Sequence, residues 1–498
     1  MLTRAISRRT FLKGSSAAAL ALPMSGLVRV WADPVHVDPA FPDGESLMPL
    51  LTRALARGGW YADVFMESRS VTRITMASSE IRALEYGLTQ GGGVRTLHGE
   101  KTGYGYAETL DAGELAPIAD VAASLAEGTI AVPAGVILQR IPSRIPMREH
   151  LEEAPIRDKV ALVERIDRAA RAVDGAVQQV VVSYHDEVQH ILIATSTGEL
   201  LRDVLPMVSV RATVTAVRDG SNAEGLSRTS RRAGMEVFEV DTPERIGSAA
   251  AAQAVRMLDA VPAPSGEMPV VVAAGGGVLF HEAIGHGLEA DAVMRNASVF
   301  AGRVGQRVAS DLVTIYDDGT LAGERGSFNV DDEGTPAERT LLVERGGLVG
   351  YLHDRRSARA MGCVSTGNGR RESFRFPPLV RMSNTFLAPG ADDPADIIKD
   401  TARGIYAVAF GGGEVDTASG QFTFGLMEAY LIENGSIGAP LRGASLVGSG
   451  VEVLERIDRV GTDFASWPGT CGKSDQSAPV TSACPTLRIS RMTVGGTA

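Results

Sequence analysis

The sequence predicts an α+β protein with two domains: a mixed α/β N-terminal domain over residues 33–262 and a mainly-β C-terminal domain over residues 263–498. The first half alternates segments of helical period with segments of strand period. Residues 262–266 read Pro-Ala-Pro-Ser-Gly, which is typical of a linker. After this linker, one helical segment precedes many short apolar runs separated by Gly, Pro, Asp and Asn, a pattern that indicates mainly strands.

In the N-terminal domain, apolar residues spaced three and four apart predict helices, and alternation of apolar and polar residues predicts strands. Two turns belong to this prediction. One is the glycine triplet at residues 91–93. The other lies at Asp186 and Glu187, between His185 and His190, and it would place both histidines on the surface. The predicted helices are 44–58, 115–126, 156–173 and 243–258. The predicted strands are 61–76, 80–88, 94–97, 103–106, 180–184, 189–196 and 207–218.

In the C-terminal domain, three glycine-containing segments have the composition of turns: 411–413, 433–435 and 448–450. Near the start of the domain, a predicted strand is followed by three glycines, residues 275–277, and then by the predicted helical segment. Glycines in this position can bind phosphate. The segment nevertheless lacks a nucleotide-binding motif, because position 280 is Phe and no Gly-Lys-Ser/Thr follows.

The first 32 residues have the composition of an export signal. They contain five basic residues and no acidic one, and Arg8 and Arg9 precede Phe11-Leu12-Lys13 as in a twin-arginine signal. The apolar run that follows is shorter than the roughly 20 residues that span a bilayer. We therefore predict a signal peptide over residues 1–32, a periplasmic location, and no integral membrane segment after signal cleavage.

The bulk composition is that of an ordinary globular protein, with 44% hydrophobic and 22% charged residues among 498. So much apolar sequence excludes general disorder. Three cysteines are too few for a disulfide scaffold. The formal charge of −11 argues against nucleic acid as a partner, because binding phosphates needs a basic surface.

A histidine–glutamate motif opens the first helix of the C-terminal domain, where His281 and Glu282 are followed by His286. Imidazole is a good zinc ligand, and an adjacent carboxylate can act as a general base. Histidines five residues apart lie about 140° apart on a regular helix, so a shared ion requires a π bulge or an unwound end. Gly285 and Gly287 would make that distortion easy. The alternative is two helix histidines with no shared role.

This motif, HEAIGHGLE at residues 281–289, resembles the zinc motif of the TldD/PmbA family of metallopeptidases, in its TldD-like branch. The resemblance covers essentially the whole chain after the signal, and the signal itself is a departure because the familiar members are cytoplasmic. The other matching segments are GEKTGY (99–104), DDEGTP (331–336), TGNGRRES (366–373), FGGGEVD (410–416) and EAYLIENG (428–435).

The resemblance implies a third zinc ligand, a cysteine in a Cys-Gly-Lys segment near the C-terminus, which Cys471 matches. The implied Zn²⁺ ligands are His281, His286 and Cys471. Two histidines and one thiolate leave a fourth position for water, from which Glu282 would take a proton and return it to the leaving amine.

Alternatives remain open for these positions. Glu289 or Asp291 could replace Cys471 as a ligand, although the helix would carry both away from the first histidine. A periplasmic location would also permit a disulfide between Cys471 and Cys484. Cys363 is expected to be a buried or incidental thiol.

The reaction also needs donors to stabilise the oxyanion that forms on the substrate. The sequence offers three side chains and a glycine loop, and it does not decide among them. The alternatives are a solvated or ion-paired surface for the arginine pair and a hairpin turn for the glycines. The candidates are Asn368, Arg370, Arg371 and the backbone N–H groups of Gly411, Gly412 and Gly413.

The resemblance further implies substrates that are short or unfolded peptides, bound in extended form, and a dimer formed with a PmbA-like paralogue or with a second copy. The leading hypothesis is therefore a zinc metallopeptidase. Two others stay open: a zinc amidohydrolase acting on a non-peptide amide, and a non-catalytic peptide-binding partner subunit.

Overall fold

The structure is a computed structural model that describes residues 39–124, 137–139, 145 and 148–497. The predicted signal peptide lies outside the described residues. The described part is α+β, as predicted, with one sheet of long strands in the first half and further sheets in the second. None of the described helices combines the length and the apolarity needed to cross a membrane.

The first half is built on a seven-stranded sheet in which β3-β2-β1-β5-β6-β4 is the order and β7 pairs with β6. All pairings are antiparallel except that of β4 with β6. The strands are β1 (Tyr61–Ala77), β2 (Glu80–His98), β3 (Lys101–Ala107), β4 (Ile137–Gln139), β5 (Val177–Thr195), β6 (Glu199–Arg218) and β7 (Ser221–Arg231).

The helices of this half cover the sheet through apolar faces. Ile166 and Ala250 belong to the core between two of the helices and the sheet, and Leu51 and Ala119 belong to a second core under two others. Burying such side chains supplies the main stabilisation of the fold. The helices are α1 (Gly44–Ala54), α2 (Ala116–Ala123), α3 (Ile156–Arg171), α4 (Val237–Val240) and α5 (Pro243–Met257).

The predicted turn at residues 91–93 is wrong, because these glycines lie inside β2, paired with β1 and β3. Their role is close packing. A Cβ atom on Gly91 would lie 2.2 Å from the Phe374 ring, and one on Gly93 would lie 2.0 Å from the Tyr104 hydroxyl.

The predicted turn between His185 and His190 is also wrong, because β5 runs through both and pairs with β1 and β6. The two side chains are partly buried rather than on the surface, with exposed fractions of 30% and 13%. The acidic residues that suggested a turn are ion-pair partners, as Asp186 shows by lying 2.6 Å from the Lys159 ammonium.

The second half contains two larger sheets, ordered β12-β11-β10-β15-β22-β21 and β16-β9-β23-β19-β17-β18-β8, with β20 added to β23 and β13 paired with β14. The strands are β8 (Val261–Pro262), β9 (Gly266–Val272), β10 (Ile315–Asp318), β11 (Arg339–Glu344), β12 (Gly347–Leu348), β13 (Gly369–Arg370), β14 (Leu379–Val380), β15 (Asn384–Leu387), β16 (Arg403–Asp416), β17 (Gln421–Glu433), β18 (Ser436–Arg442), β19 (Ser445–Ser449), β20 (Ile457–Val460), β21 (Ala465–Lys473), β22 (Gln476–Cys484) and β23 (Leu487–Gly495).

The helices of the second half are short, and several of them pack against a large apolar core that includes Phe280, Ile284 and Leu454. The predicted turn at 448–450 is instead the junction between β19 and a helix. The predicted linker is partly sheet, because Val261–Pro262 pairs with β18. The domain boundary at residue 262 stays a prediction. The helices are α6 (Val278–Phe280), α7 (Ala290–Met294), α8 (Arg355–Met361), α9 (Pro394–Lys399) and α10 (Gly450–Glu455).

Candidate metal centre

The histidine motif does not form one regular helix. After α6, the segment His281–Gly285 is a π turn and His286–Leu288 is a 3₁₀ turn. The N–H of His286 donates to the carbonyl of His281, a hydrogen bond between residues five apart. Because of this turn the two imidazoles lie on the same side of the segment, with ring centroids 5.1 Å apart. The π turn thus overcomes the unfavourable five-residue spacing.

The glycines of the motif serve packing rather than backbone freedom. Gly285 has right-handed helical angles, φ −55° and ψ −53°, which any residue adopts. A Cβ atom on it would lie 2.1 Å from the sulfur of Met382. From the other side, Gly450 at the start of α10 lets that helix approach, because a Cβ atom there would lie 1.9 Å from the carbonyl oxygen of Ala283. Close neighbours on both sides therefore hold the turn in place.

Strand β21 brings Cys471 to the two histidines. Its thiol sulfur lies 3.5 Å from Nε2 of His286, and one ligand atom from each of His281, His286 and Cys471 lies within 4.8 Å of the others. Two ligands of one tetrahedral zinc ion are expected about 3.5 Å apart. The three ligands that the resemblance implies therefore converge in the structure.

The alternative disulfide is excluded by the register of β21 and β22. Cys471 lies opposite Ala478, whereas Cys484 lies opposite Ala465, six residues farther along β21. Six residues of strand span about 20 Å, and a disulfide requires Cα atoms less than about 7 Å apart. Cys471 and Cys484 are free, buried thiols. Cys363 is free and exposed rather than buried.

The polar groups of the site fit a metal ion. Both ring nitrogens of His281 are buried, and within the described residues neither has a hydrogen-bond partner, which is costly unless a ligand satisfies one of them. Burial opposes ionisation of the Cys471 thiol, but the imidazoles of His281 and His286 outweigh it and lower its pKa to about 4. A thiolate and two imidazoles form a donor set suited to zinc.

A buried ion-pair network orients the imidazole of His286 through its Nδ1 atom. Oε2 of Glu289 accepts the hydrogen bond of Nδ1 of His286 at 3.0 Å, which leaves Nε2 facing the thiol. The ammonium of Lys473 lies 2.9 Å from the same Glu289 oxygen and 2.7 Å from Asp291. Burial disfavours the Glu289 carboxylate, yet Lys473 and His286 lower its pKa to about 2. Glu289 and Asp291 thus support the ligands, as a metal-bound histidine commonly requires.

Glu282 and His281 open onto a cleft of about 290 Å³. Glu282 is 22% exposed, and its Oε2 lies 3.8 Å from Nε2 of His286. The walls of the cleft include Trp467 and Thr470 from β21 and Gly412 from β16. The carboxylate therefore lies beside the candidate ligands, on the wall of the same cleft as His281.

Three domain models of one family match the chain: domain 1 of the PmbA/TldA metallopeptidases at residues 62–126, their central domain at 149–258 and their C-terminal domain at 265–496. The metalloprotease TldD homologue of Haemophilus influenzae is 39% identical over 448 residues, which is 88% of this chain and 93% of that protein. The chain belongs to the PmbA/TldA metallopeptidase family. The resemblance drawn from the motifs is thereby confirmed at the level of the family.

Other proteins are similar to this chain over comparable lengths. A metalloprotease of Methanothermobacter thermautotrophicus is 35% identical over 88% of this chain and 96% of that protein. Among solved structures, a Thermotoga maritima protein has a TM-score of 0.74 at 22% identity, covering 87% of this chain and 96% of that one. TldE from Thermococcus kodakarensis has a TM-score of 0.74 at 17% identity, covering 91% and 100%. These structures share the α+β fold.

Three of the other predicted site residues lie outside the cleft that contains Glu282. Asn368 is buried away from the cleft, and its amide donates to Oδ2 of Asp317 at 2.9 Å. Arg370 and Arg371 are buried, which excludes a solvated surface, but their guanidinium groups donate to backbone carbonyls, such as that of Pro479 at 2.7 Å. These three side chains do not line the cleft that contains Glu282.

The glycine triplet does reach the cleft. Gly411 and Gly412 line it, and the β16–β17 register passes from Phe410 directly to Gly413, so that Gly411 and Gly412 form a bulge. The triplet therefore lies within a strand rather than in a hairpin turn. Bulges redirect backbone groups beside active sites, and the backbone N–H groups here stay the predicted oxyanion donors.

The residue that sequence reasoning missed is Lys473. It stands two positions after Cys471 on β21, so its side chain projects from the same face of the strand. The signal that indicates it in the sequence is the Cys-Gly-Lys segment itself, in which the lysine follows the cysteine at the strand period of two.

Proposed function

We propose that this PmbA/TldA family member is a zinc-dependent peptidase that hydrolyses short or unfolded peptides, with Glu282 as the general base. The single observation that carries the proposal is the convergence of His281, His286 and Cys471, next to a carboxylate, Glu282, that lines the same cleft as His281. An inert binding subunit would have no need of this donor set together with a carboxylate.

The proposed mechanism divides the work between the ion and the side chains. When bound by His281, His286 and Cys471, zinc would supply Lewis-acid polarisation of the scissile carbonyl and lower the pKa of a water molecule. The Glu282 carboxylate accepts the proton of the attacking water and delivers it to the nitrogen of the leaving amine. Backbone N–H groups at Gly411 and Gly412 would face the developing oxyanion.

The proposed substrate form follows from β21. This strand is the last in its sheet, and Trp467, Gly469 and Thr470 on it line the cleft. An extended peptide can pair with an edge strand through its backbone, which recognises chain conformation more than sequence. Folded proteins would be spared because they present no free extended segment.

Removal of the metal is expected to abolish hydrolysis. The chain lacking residues 1–32, dialysed against a chelator, should lose its activity on an unfolded peptide mixture, and addition of about one equivalent of Zn²⁺ should restore it. Product peptides identified by mass spectrometry provide the measurement. Full activity in metal-free protein would contradict the proposal, and cleavage confined to non-peptide amides would favour the amidohydrolase instead.

We also propose that the chain is exported to the periplasm by the twin-arginine route and acts as a dimer. The paired arginines at residues 8 and 9 support export, and replacing both by lysine should leave the protein in the cytoplasm, as cell fractionation would show.

Membership of the family supports a dimer with a PmbA-like paralogue or with itself. Light scattering of the pure chain separates these, since a monomeric mass contradicts self-pairing.

A further inference from the structure

A second cavity, of about 210 Å³, adjoins the metal cleft. The two share Arg211, Arg228, Gly469 and Thr470 in their linings. The second cavity also contains Arg325, and among the described residues that line it there is no carboxylate. We call the surface formed by Arg211, Arg228 and Arg325 the arginine pocket.

Two members of the arginine pocket oppose one another. Arg211 on β6 and Arg228 on β7 are direct partners in the antiparallel register, so both side chains project from the same face of the sheet. Like charges placed directly opposite are destabilising. Within the described part of the chain neither guanidinium has an ion-pair partner, and the buried Nε of Arg228 has no hydrogen bond.

The contacts that these guanidinium groups make within the arginine pocket are with neutral groups. The Arg228 guanidinium lies 4.1 Å from the centre of the Trp467 ring. Arg325 donates to the carbonyl of Gly469 at 2.8 Å and to the hydroxyl of Ser230 at 2.6 Å. Burial, followed by repulsion from Arg211 and Arg325, lowers the pKa of Arg228 to about 10. An anion bound among the three would relieve this repulsion.

The chemistry of that anion follows from the neighbouring groups. Arg211 and Arg228 line the same cleft as His281 and Glu282, and Thr470 directly precedes Cys471. An anion in the arginine pocket would therefore belong to the molecule that is being hydrolysed. The usual anionic group of a peptide is the carboxylate. A guanidinium group can donate two parallel hydrogen bonds to the two oxygens of a carboxylate.

We propose that the arginine pocket is a carboxylate-binding subsite that makes this chain prefer peptides with a carboxylate close to the scissile bond. The inference rests on the peptidase function proposed above. The carboxylate comes either from the C-terminus of the substrate or from an Asp or Glu side chain, and these share the same chemistry.

The test compares three peptides of one sequence and the zinc-loaded chain lacking residues 1–32. One peptide has a Gln and an amidated C-terminus, the second replaces Gln by Glu, and the third has Gln and a free C-terminus. We expect kcat/KM to be about 10- to 100-fold higher for the second or third peptide than for the neutral one, the size of a charge-assisted hydrogen bond. Whichever charged peptide is favoured identifies the source of the carboxylate.

The variants Arg211→Gln and Arg228→Gln should reduce this ratio to near one. Arg211 is exposed, so its variant is expected to fold even if the Arg228 variant does not. Arg218→Gln is the matched control, because Arg218 lies on the same strand, is 41% exposed and lies outside both cavities. Its ratio should equal that of the wild type.

The failures of the two proposals are distinguishable. Hydrolysis of all three peptides at equal rates, with no change of the ratio in either pocket variant, would overturn the subsite and leave the peptidase intact. Hydrolysis of none of them by the zinc-loaded wild type would overturn both.

Discussion

Glu282→Gln is expected to lower kcat by about 10²- to 10⁴-fold, the usual contribution of a positioned general base, while the metal content stays near that of the wild type. The amide has nearly the same shape as the carboxylate but cannot accept the proton of the attacking water. Glu282 also lies outside the ligand set formed by His281, His286 and Cys471. Parallel metal analysis and initial-rate measurements on one unfolded peptide provide the check.

The matched control for this variant is Glu452→Gln, which changes a glutamate on α10 that is 58% exposed. It should retain the activity of the wild type. If Glu282→Gln keeps both its zinc and its full rate, Glu282 is not the base. If it loses zinc together with activity, the carboxylate supports the ligands rather than the proton transfer.

Lys473→Met is expected to reduce the free energy of unfolding by about 3–5 kcal/mol, the range found when one partner of a buried ion pair is removed. The ammonium contacts Glu289 and Asp291, which are both buried, and donates to the carbonyl of Val380 at 2.9 Å. Methionine would leave two buried carboxylates without their shared cation. Urea-induced unfolding of the metal-free chain measures the loss without a contribution from metal binding.

Two further variants make this prediction specific. Lys101→Met changes an exposed lysine on β3 and should leave the unfolding midpoint nearly unchanged. Adding Glu289→Gln and Asp291→Asn to Lys473→Met removes the unpaired charges and should recover part of the lost stability, which also answers the case in which the single variant does not fold. A Lys473→Met midpoint equal to that of the wild type would contradict the buried-charge explanation.

The sequence predicted the fold class well because patterning follows burial. Helices such as α3 and α5 have the expected apolar period, and their ends differ from the prediction by only one or two residues. The failures share one cause. Glycines at 91–93 and acidic residues after His185 have the composition of turns, but here glycine makes room for Phe374 and the acids form ion pairs inside a sheet. Composition does not distinguish these uses.

The candidate site was only partly predictable from the sequence. The five-residue spacing of His281 and His286 required a distorted helix, and the structure has a π turn there. The approach of Cys471 depends on the register of β21 and β22, about 190 residues farther along the chain. No local pattern indicates such a contact, so only the family resemblance suggested it. The opposition of Arg211 and Arg228 depends on register in the same way.

The most direct test of the account is the X-ray absorption spectrum of the zinc-loaded chain at the zinc edge. Ligation by His281, His286 and Cys471 predicts one sulfur scatterer at about 2.3 Å and two imidazole nitrogens at about 2.0 Å. Cys471→Ser should lose the sulfur scatterer, whereas Cys363→Ser, which changes an exposed thiol, should not. A wild-type spectrum that contains only nitrogen and oxygen ligands would contradict the central claim.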